Sequence, residues 1–260
     1  MTRVLSGVAL AGALLALVWY ASPVVLLVAA LGVATLAFQE YSRLVRAIGA
    51  VIPRWSTLAA TLGATAMVPF PWVPVESVLG FALVAAAIDI MASNRSGAAT
   101  LHDASAAILA PVYIGLPLGA LVALHGVAGR EAVILLVLTI IASDSGQYYA
   151  GRLFGKHPLA PRLSPKKTRE GAIGGFVLGP LALVVGGRFL LPIAAPASLA
   201  GIGVLIVATG IFGDLFESML KRAANVKDSA TFIPGHGGVL DRIDALLFAT
   251  PVFYYYLRSL

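Results

Sequence analysis

Nine stretches of almost unbroken apolar residues run along this chain, separated by polar breaks. They fall at about 4–21, 23–39, 56–71, 75–92, 104–125, 131–151, 171–191, 198–220 and 240–258. A helix that crosses the hydrocarbon core of a bilayer needs about 20 predominantly apolar residues. Each stretch is close to that length, so the pattern predicts an all-α, polytopic integral membrane protein of about nine transmembrane helices. The first stretch has Arg3 ahead of its apolar run, as a signal peptide has. No A-x-A cleavage site follows and a second stretch begins at once, so it reads as a retained helix. Neither a linker, a soluble domain nor an internal repeat breaks the series, and residues 1–260 read as one membrane-embedded domain.

Composition strengthens this picture. The chain is 59% hydrophobic and only 12% charged, against about 25% charged in ordinary globular domains. It has no cysteine, which removes disulfide frameworks, thiolate metal sites and cysteine nucleophiles together. The net charge of +6 does not point to nucleic acid here. In a membrane protein, lysine and arginine accumulate on the cytoplasmic side, facing anionic lipid.

Charge also orients the chain. If the N-terminus is inside, fifteen of the 18 lysines and arginines fall in inner segments. Only Arg130, Arg188 and Arg258 fall outside. That bias predicts an N-inside, C-outside topology. The two long polar connections, 152–170 and 221–239, then share the cytoplasmic face and are expected to converge on one site.

Acids are costly inside a bilayer, by about 2.5–3.5 kcal/mol at the centre of a helix on insertion scales. Asp144 follows "LLVLTIIAS", Asp214 lies in "GIFGDLFESML", and Asp241 and Asp244 open the last stretch. Asp241 and Asp244, three residues apart, share a helical face, as do Asp214 and Ser218 at a spacing of four. Asp241 reads either as an N-cap or as part of a metal or proton site, and Glu217 reads as an i,i+4 partner of Lys221. Asp89 reads equally as a rim residue or a functional one. With no cysteine and few histidines, oxygen ligands beside phosphate suit magnesium better than zinc. In the loop "GRLFGKHPLAPRLSPKKTREG", Ser164, Lys166, Lys167 and Thr168 are placed to grip phosphate, and three prolines stiffen it. His236 stands between Gly235 and Gly237, as a turn residue or as a phosphate contact; Gly237 and Gly238 let backbone approach a ligand closely. Gly175 and Gly179 in "GGFVLG" allow close helix packing, within the chain or between copies. Tyr254, Tyr255 and Tyr256 read as an interfacial aromatic belt.

Residues 218–244 then become specific. They resemble the signature of the phosphatidate cytidylyltransferase family, also called CDP-diglyceride synthases. Its fixed positions are matched by Ser218, Lys221, Arg222, Lys227, Asp228, Ala230, Pro234, His236, Gly237, Gly238, Asp241, Arg242 and Asp244. A second block, "SDSGQYYAGRLFGKHPLAPRLSPKKTREG", is similar to another conserved segment of that family. The usual text there is nearer Asp-Thr-Gly-Ala-Tyr; this chain has Ser145 and Gln147 but keeps Asp144. The two blocks fall in the C-terminal half, about 131–260, which the resemblance makes the catalytic half.

The resemblance implies that CTP and phosphatidate give CDP-diacylglycerol and pyrophosphate. It also implies magnesium, a homodimer, and an inner-membrane location with the active site facing the cytoplasm. It makes Asp144, Asp214, Asp241 and Asp244 candidate metal ligands. Lys221, Arg222, Lys227 and Arg242 become phosphate-neutralising catalytic residues, joined by Asp228 and His236. Ser218, Lys166, Lys167, Gly237 and Gly238 become substrate-binding residues. The competing readings are a CTP-dependent polyprenol or phytol kinase and an ion-coupled transporter. A transporter site belongs near the midplane between paired broken helices, whereas charge here crowds one edge.

Overall fold

A computed structural model describes residues 12, 16–70, 74–93, 97–230 and 237–260. Most of the first predicted stretch, Arg3 and Arg95, and His236 of the signature lie outside the described residues. The chain divides into two compact units. One comprises Ser22–Ala123 with Leu220–Arg242, the other Met1–Ala21, Leu124–Met219 and Ile243–Leu260.

The helices follow the apolar stretches. They are α1 (Pro23–Ala47), α2 (Arg54–Met67), α3 (Val75–Met91), α4 (Ala98–Ala110), α5 (Leu116–Phe154), α6 (Arg169–Leu190), α7 (Pro196–Ala223) and α8 (Leu240–Arg258). A π-turn, Pro111–Gly115, joins α4 to α5, at a proline that has no amide for an α-helical bond. Gly129, with φ 77° and ψ 175°, interrupts α5, in the gap between the fifth and sixth apolar stretches. Among the described residues, four segments are long and apolar enough to cross a membrane: Pro23–Ala47, Ala98–Phe154, Arg169–Leu190 and Pro196–Ala223. The helices also expose large apolar side chains, among them Phe81, Met91, Ile173, Phe189 and Phe212. Lipid tolerates such a surface and water does not. The protein is an all-α, multi-pass membrane protein; its described residues add one small hairpin, β1 (Pro158–Ala160) antiparallel to β2 (Ser164–Thr168).

The first unit is built on α1. Ser22 caps it by accepting the amide of Val25 at 3.4 Å, with Pro23 in the first helical position. Gly49, at φ 89°, ends it in the left-handed conformation that glycine adopts without strain. Phe38 and Tyr41 of α1 are fully buried, and the Tyr41 hydroxyl donates to the Ala106 carbonyl at 2.8 Å. Asp103, also buried, accepts the Val51 amide at 2.7 Å. A Cβ on Gly115 would come within 2.6 Å of the Thr61 carbonyl oxygen, so α2 seats where this glycine leaves room.

The second unit is held by small residues. Lipid is as apolar as leucine, so close packing rather than hydrophobic transfer holds membrane helices together. Where α5 crosses α6, a Cβ on Gly146 would strike the Gly174 backbone, and one on Gly175 would lie 2.7 Å from Gln147 Cγ. One on Gly179 would strike Val207 of α7. Gly175 and Gly179 thus pack within the chain. At the root of the hairpin, Glu170 accepts the amides of Lys156 and His157 at 3.1 and 3.2 Å, and its Oε1 lies 2.6 Å from His157 Nδ1. Of the three C-terminal tyrosines, Tyr254 is buried, Tyr255 is exposed, and the Tyr256 hydroxyl lies 2.7 Å from Ser198 Oγ.

Candidate active site

In the second unit the glycine seam sets α5 against the end of β2 and the start of α6. Asp144 and Gln147 on α5 therefore meet Lys166, Lys167 and Thr168. A cavity of about 260 Å³ opens there, lined by these residues together with Tyr148, Gly171, Ala172 and Asp214. The β2 hairpin delivers both lysines. Thr168 then starts α6, its Oγ1 accepting the Gly171 amide at 3.1 Å. Lys167 Nζ is 2.5 Å from Asp214 Oδ2, so one lysine of the basic loop is already paired with an acid of α7. Asp144 Oδ1 accepts from Gln147 Nε2 at 3.1 Å. Ser218, one turn beyond Asp214, donates to it at 3.4 Å. Asp244 lies within electrostatic reach of Asp214, Asp144 and Lys167. Its neighbour is again a glycine, because a Cβ on Gly213 would strike the Asp244 carbonyl.

The first unit holds the other half of the signature. Lys221 Nζ donates to Asp241 Oδ1 at 2.6 Å, with both side chains largely buried. Asp241 Oδ2 accepts from the Ser229 amide at 3.0 Å, the Ser229 hydroxyl at 2.8 Å and the Gly238 amide at 2.7 Å. Both oxygens of Asp241 thus hold protein donors, and it caps the first turn of α8. Gly237 has φ +78°, a left-handed conformation, and a Cβ on Gly238 would strike Ser229 Oγ and Glu40 Oε2. The glycines therefore have structural reasons of their own. Arg222, Lys227, Asp228 and Arg242 are exposed, and Arg222 Nη1 donates to the Val226 carbonyl at 3.2 Å.

Metal chemistry can be weighed from the donors. Among the described residues, no three His, Cys, Asp or Glu side chains come together as a metal cage. Magnesium does not need one, since it binds through one or two carboxylates plus substrate phosphates and keeps several waters. Asp144 and Asp214 line the cavity with Asp244 in reach, a hard-oxygen set of the right kind.

Sequence reasoning missed Gln147 and Tyr148 as cavity residues, and missed Glu40 and Ser229 altogether. Glu40 had a signal. It is the sole acid in the first 75 residues and ends the second apolar stretch, yet next to "YSR" it reads as the polar end of a span.

The chain is 45% identical over 135 residues to the phosphatidate cytidylyltransferase of Haemophilus influenzae, covering 49% of this chain and 46% of that protein. With the enzyme of the same name from Mycobacterium bovis it shares 41% identity over 149 residues, 56% of this chain and 48% of the relative. With that from Helicobacter pylori it shares 42% over 150 residues, 55% and 53% respectively. The matches span about half the length of these curated relatives. The model of the cytidylyltransferase family, by contrast, runs over residues 1–260. With a family model that matches its whole given length, this chain belongs to the cytidylyltransferase family.

Proposed function

We propose that the protein transfers CMP from CTP to phosphatidate, forming CDP-diacylglycerol and pyrophosphate. The observation that carries this reading is the cavity that gathers Lys166, Lys167, Asp144 and Asp214 from separate parts of the sequence. Its volume, a little under the roughly 300–1,000 Å³ of ordinary ligand pockets, suits the phosphate end of a nucleotide. The names of the relatives supply the lipid.

The chemistry explains the residue types. An oxygen of the phosphatidate monoester attacks the α-phosphorus of CTP. A new P–O bond forms, and the bond from the α-phosphorus to the bridging oxygen breaks, with the electron pair leaving on pyrophosphate. A phosphate monoester has its second pKa near 6, so at neutral pH the attacking group is already largely dianionic. No serine, cysteine or strong base is required. The barrier lies in bringing two anions together in line. Lys166 and Lys167 lower it in the cavity by binding phosphate oxygens, and Asp214 holds Lys167 in place. Lys221, fixed by Asp241, and the exposed Arg222, Lys227 and Arg242 add cationic charge. The same proposal includes magnesium, which Asp144, Asp214 and Asp244 would hold and which would supply charge neutralisation for the polyphosphate.

The proposal includes about nine spans with the N-terminus inside, an inner-membrane location, and Lys166 and Lys221 facing the cytoplasm. The charge bias and the agreement of helices with apolar stretches support it. A homodimer completes the proposal, resting on family resemblance alone.

The deciding experiment supplies purified protein in mixed micelles with CTP, phosphatidate and magnesium, and identifies the products. CDP-diacylglycerol and pyrophosphate are expected in equal amounts. Release of CDP with a phosphorylated lipid would identify a kinase instead. Lys167→Ala should lower turnover by about 10–100-fold, the equivalent of one charge-assisted contact. Undiminished turnover would remove the cavity from the reaction.

A further inference from the structure

Glu40 lies on α1 and is only 4% exposed. Its carboxylate takes three donors. The Val239 amide donates to Oε1 at 2.8 Å, and the Leu240 amide and the Ser229 hydroxyl each donate to Oε2 at 2.8 Å. The partners stand 189 to 200 positions away in sequence. An acid buried in an apolar helix is expensive, and capping a helix needs only a local Ser, Thr, Asp or Asn. Asp241 already supplies a local cap at Gly238. A second carboxylate from α1 on the same turn therefore calls for a different reason.

Three features supply one. Ser229 Oγ is 2.8 Å from both Glu40 Oε2 and Asp241 Oδ2; its single proton serves one at a time, so the hydroxyl links the two acids. Gly238 is seated against Ser229 and Glu40 with no room for a side chain. With Oδ2 of Asp241 bound by three donors, Oδ1 is turned to Lys221. A helix N-terminus is ordinarily a ready anion site. Here it is filled from within, which directs an incoming phosphate to the cationic side chains instead.

We propose that Glu40 is a positioning residue of the active site: from α1 it fastens Ser229 and the first turn of α8, and through them it sets Asp241 and Lys221. This inference rests on the reaction proposed above, and its test has a readout that does not.

Full-length protein with Glu40→Gln, Glu40→Asp and Ser229→Ala is purified in detergent. Amide hydrogen exchange is measured over 237–242, and kcat and KM for CTP are measured well below each variant's unfolding midpoint. Gln presents an NH₂ group to a ring of donors, so exchange at Val239 and Leu240 should speed up about tenfold or more. Its kcat per folded molecule should fall by a similar factor. Glu40→Asp keeps the charge and should restore part of the rate. A role in stability alone would lower the midpoint and leave kcat per folded molecule within about twofold of the parent; that result overturns the proposal, as does unchanged exchange at the two amides. If Glu40→Gln does not fold, Ser229→Ala is read by the same two measures with the same criteria. If the parent makes no CDP-diacylglycerol, the proposed reaction fails, while the exchange measurement still decides whether Glu40 fastens the turn.

Discussion

Replacing Lys221 by methionine tests whether the pair it forms with Asp241 holds the first turn of α8. Methionine keeps the length of the side chain and removes its charge. The lysine nitrogen is 2.6 Å from Asp241 Oδ1, and the two side chains are 12% and 9% exposed. Removing one partner from a fully buried pair costs about 3–5 kcal/mol, because the other charge is left uncompensated. Asp241 keeps three donors on Oδ2, so the loss should be nearer that of one bond to a charged group, about 1.5–3 kcal/mol. On the scaling of soluble proteins of this size, about 2–4 °C per kcal/mol, the unfolding midpoint should drop by roughly 3–12 °C. Arg130 and Glu131 make the contrasting pair, at 3.3 Å but 45% and 36% exposed. An exposed pair of that kind contributes about 0–1 kcal/mol; Arg130 also donates to the Trp19 carbonyl at 3.0 Å, so the contrast is made with Glu131→Gln, which should move the midpoint little. Thermal unfolding in detergent, run for Lys221→Met, Asp241→Asn and the double variant, isolates the interaction. Losses from the two single variants that add to within about 0.5 kcal/mol would mean the pair contributes nothing, and the reasoning would fail.

Two further outcomes are expected. Gly238→Ala should cost about 1–3 kcal/mol of stability, since its Cβ would be driven into Ser229 and Glu40; a neutral effect in thermal unfolding would show that the turn has slack. Because the chain has no cysteine, single cysteines report topology cleanly. Lys156→Cys should react with an impermeant maleimide only in inverted vesicles and Arg188→Cys only in intact cells, and the reverse pattern would invert the proposed orientation.

Several parts of this protein were legible residue by residue. The helices overlap the apolar stretches, although α4 and α5 share the fifth of them, and Gly129 breaks α5 in the gap between the fifth and the sixth. Asp144 and Asp214 were singled out as acids in an apolar context, Lys166 and Lys167 as cations of a basic loop, and the structure brings them to one cavity. Other parts were not legible. The helical spacing of Asp241 to Asp244 gave no sign that the oxygens of Asp241 would hold Lys221, Ser229 and Gly238. Gln147 looked like a departure from a familiar pattern, whereas it donates to Asp144 and Ser143.

Sequence alone determined that the chain is helical, that it belongs in a membrane, and which family's motif it carries. Those properties depend on each segment's own exchange with its solvent, and about 20 apolar residues decide that locally. Tertiary structure alone decided which charges meet. Partners such as Glu40 and Leu240, 200 positions apart, leave no trace in local periodicity. They are brought together by backbones that approach where glycine leaves room, and in a bilayer that close approach, rather than hydrophobicity, selects the neighbours.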